Sequence, residues 1–309
     1  MTLPDHITQT EDGVLLLVGG RHSTAGFFNG ERDPGKQSVR YFWRNQEMRS
    51  QWCLKNGIKY QMVIFPDKLV PYADKISGYG NMTSLFDRCY RKHEDSSAVI
   101  YLKVGREDYL KTDTHLSATG IKSATIQIMQ NLKIDQHKQF LSHFEASLEH
   151  QSDFSGDLAK QCVPVPTETS EKLVGLRMGQ YASNGVKNGN LGIIDLNINL
   201  ESTRKETLVI FGDSFFRQLL PSLSHYFKKI FFLRSRFFHY EIIRALNPDV
   251  ILSGTAERYL SNVMPDGQRP HALSYPLIEG RGTEPTVNFK ELWNEIVDSR
   301  KLALPAVHK

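Results

Sequence analysis

Short apolar strands alternate with amphipathic helices through the second half of the chain. The run LVIF at 208–211 precedes helical spacing in SFFRQLLPSLSHYF, and KIFFLR at 229–234 precedes the helical pattern HYEIIRALN. Another apolar run, DVILSG, occupies 249–254. This alternation favours a parallel sheet with helices on both faces, because the helical crossover between parallel strands must pack against the sheet. The sequence therefore predicts a three-layer α/β/α fold with a central parallel sheet.

The first half of the chain carries the same signals. DGVLLLVGG at 12–20 predicts a buried strand that ends in a glycine pair. A helix is predicted to end near Asn56 and Gly57, followed by the strand YQMVIF at 60–65. SSAVIYLK at 96–103 predicts another strand, and the next segment shows the apolar spacing of a helix.

The pattern weakens between 153 and 206, where CVPVPTETS and YASNGVKNGN supply turn residues. We interpret 153–206 as a loop-rich insertion in a domain that spans 1–263. The tail, 264–309, contains the predicted helix NFKELWNEIVDSR. We expect this tail to pack on the same domain.

Composition excludes several classes of protein. The 309 residues carry a formal net charge of +4 without one long basic block, so no nucleic-acid partner is expected. The three cysteines, Cys53, Cys89 and Cys162, lack C-x-x-C spacing and predict neither a metal site nor a disulfide framework. No apolar run approaches the roughly 18 residues of a transmembrane segment. The polar N-terminal sequence has no export signal and predicts a cytoplasmic protein, or a periplasmic or extracytoplasmic one if a longer precursor is trimmed.

Ser214 follows an apolar strand in the stretch LVIFGDSFFRQL. Ligands of parallel sheets bind beyond the carboxyl ends of the strands, so this position favours function. Gly212 permits a tight turn, and the amides of the next helix could stabilise an oxyanion. Two interpretations remain open: either Asp213 or Ser214 simply caps the helix, or Ser214 is a nucleophile.

A serine nucleophile needs a histidine base and a group that orients it. Among eleven histidines, His115 in YLKTDTHLSATG is distinctive because Asp113 lies two residues earlier. In an extended or turn conformation these side chains point to the same side, so the carboxylate can reach Nδ1 and leave Nε2 free. The pair could also be a helix cap beside a loop histidine, or two ligands of a metal site without evident further ligands.

These segments resemble a known family. FGDSFF at 211–216 resembles the GDS(L) nucleophile block of SGNH hydrolases, and KTDTHLSATG at 111–120 resembles the D-T-H-W segment of the alginate O-acetyltransferase family. In that family the aspartate and the histidine precede the serine, as they do here. Three further blocks are similar in the same order: 11–20, 56–76 and 249–260. The combination is more specific than any single block.

The resemblance implies an SGNH-hydrolase-like fold in which 1–263 is the catalytic domain. It also implies that Ser214 is the nucleophile, His115 the base and Asp113 the orienting carboxylate. Leu116 replaces the tryptophan of the family, and Phe215 replaces the leucine of GDSL. Further candidates for oxyanion stabilisation or substrate binding are Gly212, Asp213, Phe215, Arg217 and His22.

The resemblance implies a polysaccharide or carbohydrate O-acetyltransferase that moves an acetyl group through a serine acyl-enzyme to a sugar hydroxyl. A carbohydrate acetylesterase would use the same three residues with water as the acceptor. A third hypothesis is an inactive glycan-binding protein. No bound cofactor is expected, but an acetyl donor, either a small molecule or an acetyl-donating protein, is required. Basic residues between Lys228 and Arg244 leave an anionic glycan open as the acceptor.

Overall fold

The computed structural model describes residues 1–20, 23–91, 98–135, 137–174, 179–202 and 204–302. The α-helices in these residues are α1 (Thr24–Phe28), α2 (Gly35–Lys55), α3 (Leu85–Cys89), α4 (Ala118–Asn131), α5 (His137–Ala146), α6 (Ser214–Leu223), α7 (Tyr240–Leu246), α8 (Tyr275–Ile278) and α9 (Val287–Ile296). The strands are β1 (Ile7–Gln9), β2 (Leu15–Leu17), β3 (Lys59–Phe65), β4 (Val99–Tyr101), β5 (Leu148–Phe154), β6 (Glu168–Leu173), β7 (Gln180–Ser183), β8 (Ile194–Ile198), β9 (Thr207–Gly212), β10 (Lys229–Arg234) and β11 (Val250–Ala256).

Within the described residues, a central sheet of seven strands has the order β4-β3-β11-β9-β10-β8-β7. Strand β9 lies between β10 and β11 and is parallel to both. Strand β8 runs antiparallel to β10, and β7 runs antiparallel to β8. The predicted α/β architecture is confirmed, with antiparallel strands added at one side of its parallel part.

Strands β9 and β10 are apolar runs because they are buried on both faces, as parallel strands usually are. Gly212 and Arg234 are register partners at their carboxyl ends. The two strands therefore end level with each other, and the residues that follow them emerge at the same edge of the sheet.

The buried strand predicted in 12–20 is present as β2, which pairs with β1 in a separate antiparallel sheet. One segment differs from the sequence prediction. The segment 153–206, interpreted as loop-rich, contains β6, β7 and β8. The sequence does not predict β8, because the polar residues Asp195 and Asn197 are typical of an exposed segment, whereas both are buried in the structure. The boundary predicted at residue 263 stays a prediction.

The chain divides into two compact units. The first comprises Met1–Arg44, Val63–Leu176 and Thr255–Met264, and the second comprises Asn45–Met62, Arg177–Gly254 and Pro265–Lys309. In the second unit the tail helix α9 inserts Phe289, Leu292 and Ile296 into a core shared with β8, β9 and β10. These three residues recur at helical spacing, which explains why the sequence pattern predicts α9. None of the helices in the described residues has the length and apolar character needed to span a membrane.

Glu257 is a fully buried carboxylate in the first unit. Its oxygens accept four hydrogen bonds, from Ser84 Oγ at 2.6 Å, Phe86 N at 2.9 Å, Tyr101 OH at 2.9 Å and Asp67 N at 3.1 Å. Burial raises the pKa of Glu257 to about 7, although the hydrogen bonds oppose this rise. One side chain thus joins the segment after β3, the start of α3 and β4.

Replacing Glu257 with glutamine should lower the free energy of unfolding by about 2 kcal/mol, because the new amide group faces donors that then lack an acceptor. Urea denaturation above the pKa of Glu257 measures the change. The exposed Glu31 provides the control, and Glu31→Gln should match the wild type. Equal stability of Glu257→Gln and the wild type would contradict the assigned role of the carboxylate.

Candidate active site

Asp113 and His115 form a hydrogen-bonded pair in the loop before α4. The Nδ1 atom of His115 lies 2.6 Å from Asp113 Oδ1, and the backbone N–H of His115 donates to the same oxygen at 2.9 Å. An ionised carboxylate only accepts hydrogen bonds, so Nδ1 carries a proton and proton transfer to or from the ring falls to Nε2. The structure brings these two predicted residues together in the orientation that a general base requires.

The other oxygen of Asp113 is held by a residue far away in the sequence. The backbone N–H of Asp157 donates to Asp113 Oδ2 at 2.8 Å. Burial favours the neutral acid, but the hydrogen bonds and the charge of His115, together with the amide of Asp157, hold the pKa of Asp113 well below its usual range. Asp113 therefore stays ionised beside the imidazole.

Asp157 is a member of this cluster that the sequence analysis missed. Its carboxylate accepts from Thr114 N at 2.8 Å and Thr114 Oγ1 at 2.6 Å, and its Oδ2 lies 3.8 Å from His115 Nδ1. Asp113, His115 and Asp157 offer potential ligand atoms within 4.8 Å of one another. Nδ1 and both oxygens of Asp113 are, however, used in hydrogen bonds within this cluster, which is the pattern of an oriented histidine.

Gly156 allows this close approach. A Cβ atom at Gly156 would lie 2.4 Å from both Asp113 Cβ and Thr112 O. The backbone N–H of Gly156 also donates to Thr112 Oγ1 at 3.0 Å. Glu168 holds the other side of the loop by accepting from Lys111 N and Thr112 N at 2.8 and 2.7 Å. The sequence signal nearest to this contact is the dipeptide Gly156-Asp157, which predicts only an ordinary turn.

Ser214 is the first residue of α6 and immediately follows the turn at the end of β9. Asp213 is the N-cap of this helix, because its side chain accepts from Phe215 N at 2.9 Å. The structure thus answers which residue caps α6, and Ser214 is free of that role. Ser214 is partly exposed, whereas Phe215 and Phe216 are fully buried. The two phenylalanines anchor the helix in the core, and the serine remains partly exposed.

The backbone of Gly212 is fixed from two sides. A Cβ atom there would lie 2.8 Å from the ring atom Cδ2 of Phe216, so the turn leaves little room for another side chain. The carbonyl of Gly212 accepts from Ser235 N at 3.1 Å. Ser235 follows β10, so this bond joins the ends of two neighbouring strands beside Ser214.

Ser235 belongs to a buried polar network in the second unit. Its Oγ lies 2.9 Å from His239 Nε2 and 2.7 Å from Tyr275 OH, and His239 Nδ1 lies 3.2 Å from Glu241 Oε1. Burial lowers the pKa of His239, which favours a neutral ring. Ser235 and His239 are 2% and 0% exposed. The network therefore has a structural role, because Ser235 donates to Gly212 and thereby stabilises the turn before Ser214.

The remaining candidates have different surroundings. Arg217 donates to both oxygens of the buried Asp195, at 2.6 and 3.1 Å, which ties α6 to β8. Leu116 is 2% exposed and is a core side chain. His22 lies outside the described residues. Its assignment stays a prediction.

The predicted site residues divide between the two units. Asp113 and His115 belong to the first unit, and Gly212, Asp213, Ser214, Phe215 and Arg217 belong to the second. The distances given above therefore join residues within one unit. The joint action of Ser214 with His115 stays a prediction.

No protein-family model matches the chain, and no curated protein sequence matches it. Solved structures do match. The chain is similar to PatB1 of Bacillus cereus, with a TM-score of 0.57 and 13% sequence identity over 82% of this chain and 96% of that one. PatB1 with a sulfonyl adduct matches with a TM-score of 0.56 and 14% identity, over 82% and 97% of the two chains. The fold is SGNH-hydrolase-like.

This likeness confirms the fold that the sequence resemblance implied. The O-acetyltransferase domain of Pseudomonas putida AlgJ also matches, with a TM-score of 0.48 and 14% identity over 89% of this chain and 99% of that one. At 13% and 14% identity, the two PatB1 structures establish the fold alone. The chemistry has to be argued from the side chains.

Replacing Gly156 with alanine should destabilise the protein by about 1–3 kcal/mol, because the added methyl group collides with the backbone at Thr112 and with Asp113. Urea denaturation measures this loss. Gly267→Ala is the matched control, since a Cβ there meets nothing within 4 Å. If the two variants were equally stable, Gly156 would not constrain the loop.

The low pKa of Asp113 predicts a dependence of stability on pH. The unfolded chain takes up a proton at the ordinary aspartate pKa, and the folded protein does so only at lower pH. The contribution of Asp113 to stability is therefore complete above the ordinary value and is lost as pH falls below it, over about pH 5 to 1. The unfolding free energy of Asp113→Asn should vary less with pH in this range than that of the wild type. The exposed Asp5→Asn variant should keep the wild-type slope, and equal slopes for all three proteins would contradict the prediction.

Proposed function

We propose that this protein is a carbohydrate O-acetyltransferase in which Ser214 is the nucleophile, His115 the general base and Asp113 the carboxylate that orients it. The observation that carries the proposal is the Asp113–His115 pair, which holds the proton on Nδ1 and leaves Nε2 as the acceptor. The position of Ser214 adds support, because Asp213 caps α6 in its place. The order of the three residues and the SGNH-hydrolase-like fold agree with the family resemblance.

The first half of the reaction forms an acyl-enzyme. Ser214 Oγ attacks the carbonyl carbon of the acetyl donor while its proton passes to His115 Nε2. The tetrahedral intermediate collapses, and the leaving group departs with the proton held by His115. Ser214 is left as an acetyl ester, and the imidazole is neutral again.

The second half transfers the acetyl group. A sugar hydroxyl attacks the ester carbonyl and gives its proton to His115 Nε2. The new intermediate expels Ser214 Oγ, which recovers the proton, and the O-acetylated sugar is released. Asp113 stays ionised throughout and stabilises the imidazolium that forms in each half.

The helix start provides an oxyanion donor. The amide of Phe215 already donates to the cap Asp213 at 2.9 Å, so it is used within the turn. The amide of Ser214 itself comes first in α6, where backbone N–H groups favour developing negative charge. We assign this amide to the oxyanion of both intermediates.

The proposal is tested with a chromogenic acetyl ester, with and without a panel of neutral and anionic oligosaccharides, following the acetyl group by mass spectrometry. Ser214→Ala and His115→Ala should each reduce turnover by at least about 10³-fold, because neither group works without the other. Urea denaturation checks that both variants fold. Ser152→Ala, which alters an exposed serine, should keep wild-type activity.

The products decide between transfer and hydrolysis. Acetylated oligosaccharide is the expected product. Acetate alone, with every acceptor unmodified, would replace the transferase by an acetylesterase that uses the same residues. Full activity of a folded Ser214→Ala or His115→Ala variant would remove that residue from the mechanism, and absence of turnover in the wild type would favour a non-catalytic glycan-binding protein.

A further inference from the structure

Lys68 is a buried lysine in the first unit, three residues after the end of β3. Its side chain is deep in the protein, with the residue only 3% exposed. The Nζ atom donates to four backbone carbonyls, those of Leu15 at 2.8 Å, Leu110 at 2.6 Å, Lys111 at 3.0 Å and Asp113 at 2.9 Å. Three of these carbonyls belong to the segment that leads into His115.

An ammonium group in such a place has to be compensated, because removal of a charge from water is unfavourable unless hydrogen bonds replace the solvent. The group has three N–H donors, and four carbonyl oxygens lie within 3.0 Å, so one donor is shared. Burial lowers the pKa of Lys68 to about 8, and the surrounding carboxylates oppose the shift. They are Glu168, Asp113, Asp157 and Asp67.

The hydrogen bonds of Lys68 restrict the backbone conformation of segment 110–113. Leu15 N also donates to Lys111 O at 2.9 Å, so β2 and this segment are joined both directly and through the ammonium group. Asp113 is then held at its carbonyl by Lys68 and at its carboxylate by the amides of Asp157 and His115. With both ends fixed, the Asp113 side chain has little freedom to turn away from Nδ1.

We propose that Lys68 is a positioning residue for the histidine base: its ammonium group clamps the carbonyls of segment 110–113 and thereby keeps the Asp113 carboxylate on Nδ1 of His115. Lys68 acts through the backbone and touches no reacting atom. The kinetic consequence rests on the proposed function, whereas the effect on the Asp113–His115 hydrogen bond does not.

The test compares Lys68→Met with Lys75→Met, which removes an exposed lysine from the same region. Nuclear magnetic resonance of protein labelled with ¹⁵N-histidine reports the hydrogen-bonded Nδ1 proton of His115, assigned from its absence in His115→Gln. We expect Lys68→Met to lose this downfield signal through exchange with water. Its kcat on the acetyl ester should fall about 10²-fold with little change in KM, as expected for a misplaced catalytic group. Lys75→Met should match the wild type in both measurements.

The two readouts separate the two proposals. A folded Lys68→Met protein that keeps the Nδ1 proton signal overturns the positioning role, whatever its activity. Loss of the signal with unchanged kcat supports positioning and removes His115 from the mechanism. If Lys68→Met does not fold, Lys68→Gln provides the same test, because its shorter uncharged side chain has only two N–H donors for the four carbonyls that Lys68 binds. A weakened signal supports the positioning role, and a wild-type signal overturns it.

Discussion

The buried carboxylate of Asp113 is the constraint that organises the candidate site in the first unit. A charge in this position must be compensated on each oxygen, and the loop does so with the imidazole of His115 and with backbone amides. One of these amides belongs to residue 157, so a segment distant in the sequence has to fold against the loop. Gly156 permits the contact, and Lys68 holds the carbonyl side of the same residue. The orientation of the histidine is a consequence of this compensation.

The second unit contains the same residue types in a different role. Ser235, His239 and Glu241 are linked as a serine, a histidine and a carboxylate would be in a catalytic triad. Ser235 and His239 are buried, and the amide of Ser235 donates to the carbonyl of Gly212 beside Ser214. Ser214 is partly exposed at the end of β9, where ligands of such sheets bind. Exposure and position, more than residue identity, separate the proposed nucleophile from the structural serine.

The parts of the fold that depend on local pattern could be predicted from the sequence. Strands β9 and β10 are continuous apolar runs, and the pair Asp113–His115 is separated by a single residue, so both leave a clear signal. Strand β8 was hidden because its buried polar residues resemble a surface segment. Asp195, for example, is 1% exposed and binds Arg217, a contact between distant positions that spacing does not reveal.

The contacts that position the base also escaped the sequence analysis. Lys68 and Asp157 lie 45 and 44 residues from Asp113, so only the folded chain shows that they meet it. The cap of α6 was undecided for a different reason, since Asp213 and Ser214 are both good N-cap residues. The hydrogen bond from Phe215 N to the Asp213 side chain resolves this ambiguity.

Covalent labelling with phenylmethylsulfonyl fluoride tests the central claim most directly, because a sulfonyl reagent reacts with an activated serine. Peptide mapping after digestion locates the adduct in the wild type and in a folded His115→Ala variant. The account predicts an adduct on Ser214 that depends on His115, with the buried Ser235 unlabelled. Labelling of a different serine, or labelling of Ser214 that is undiminished without His115, would contradict the account.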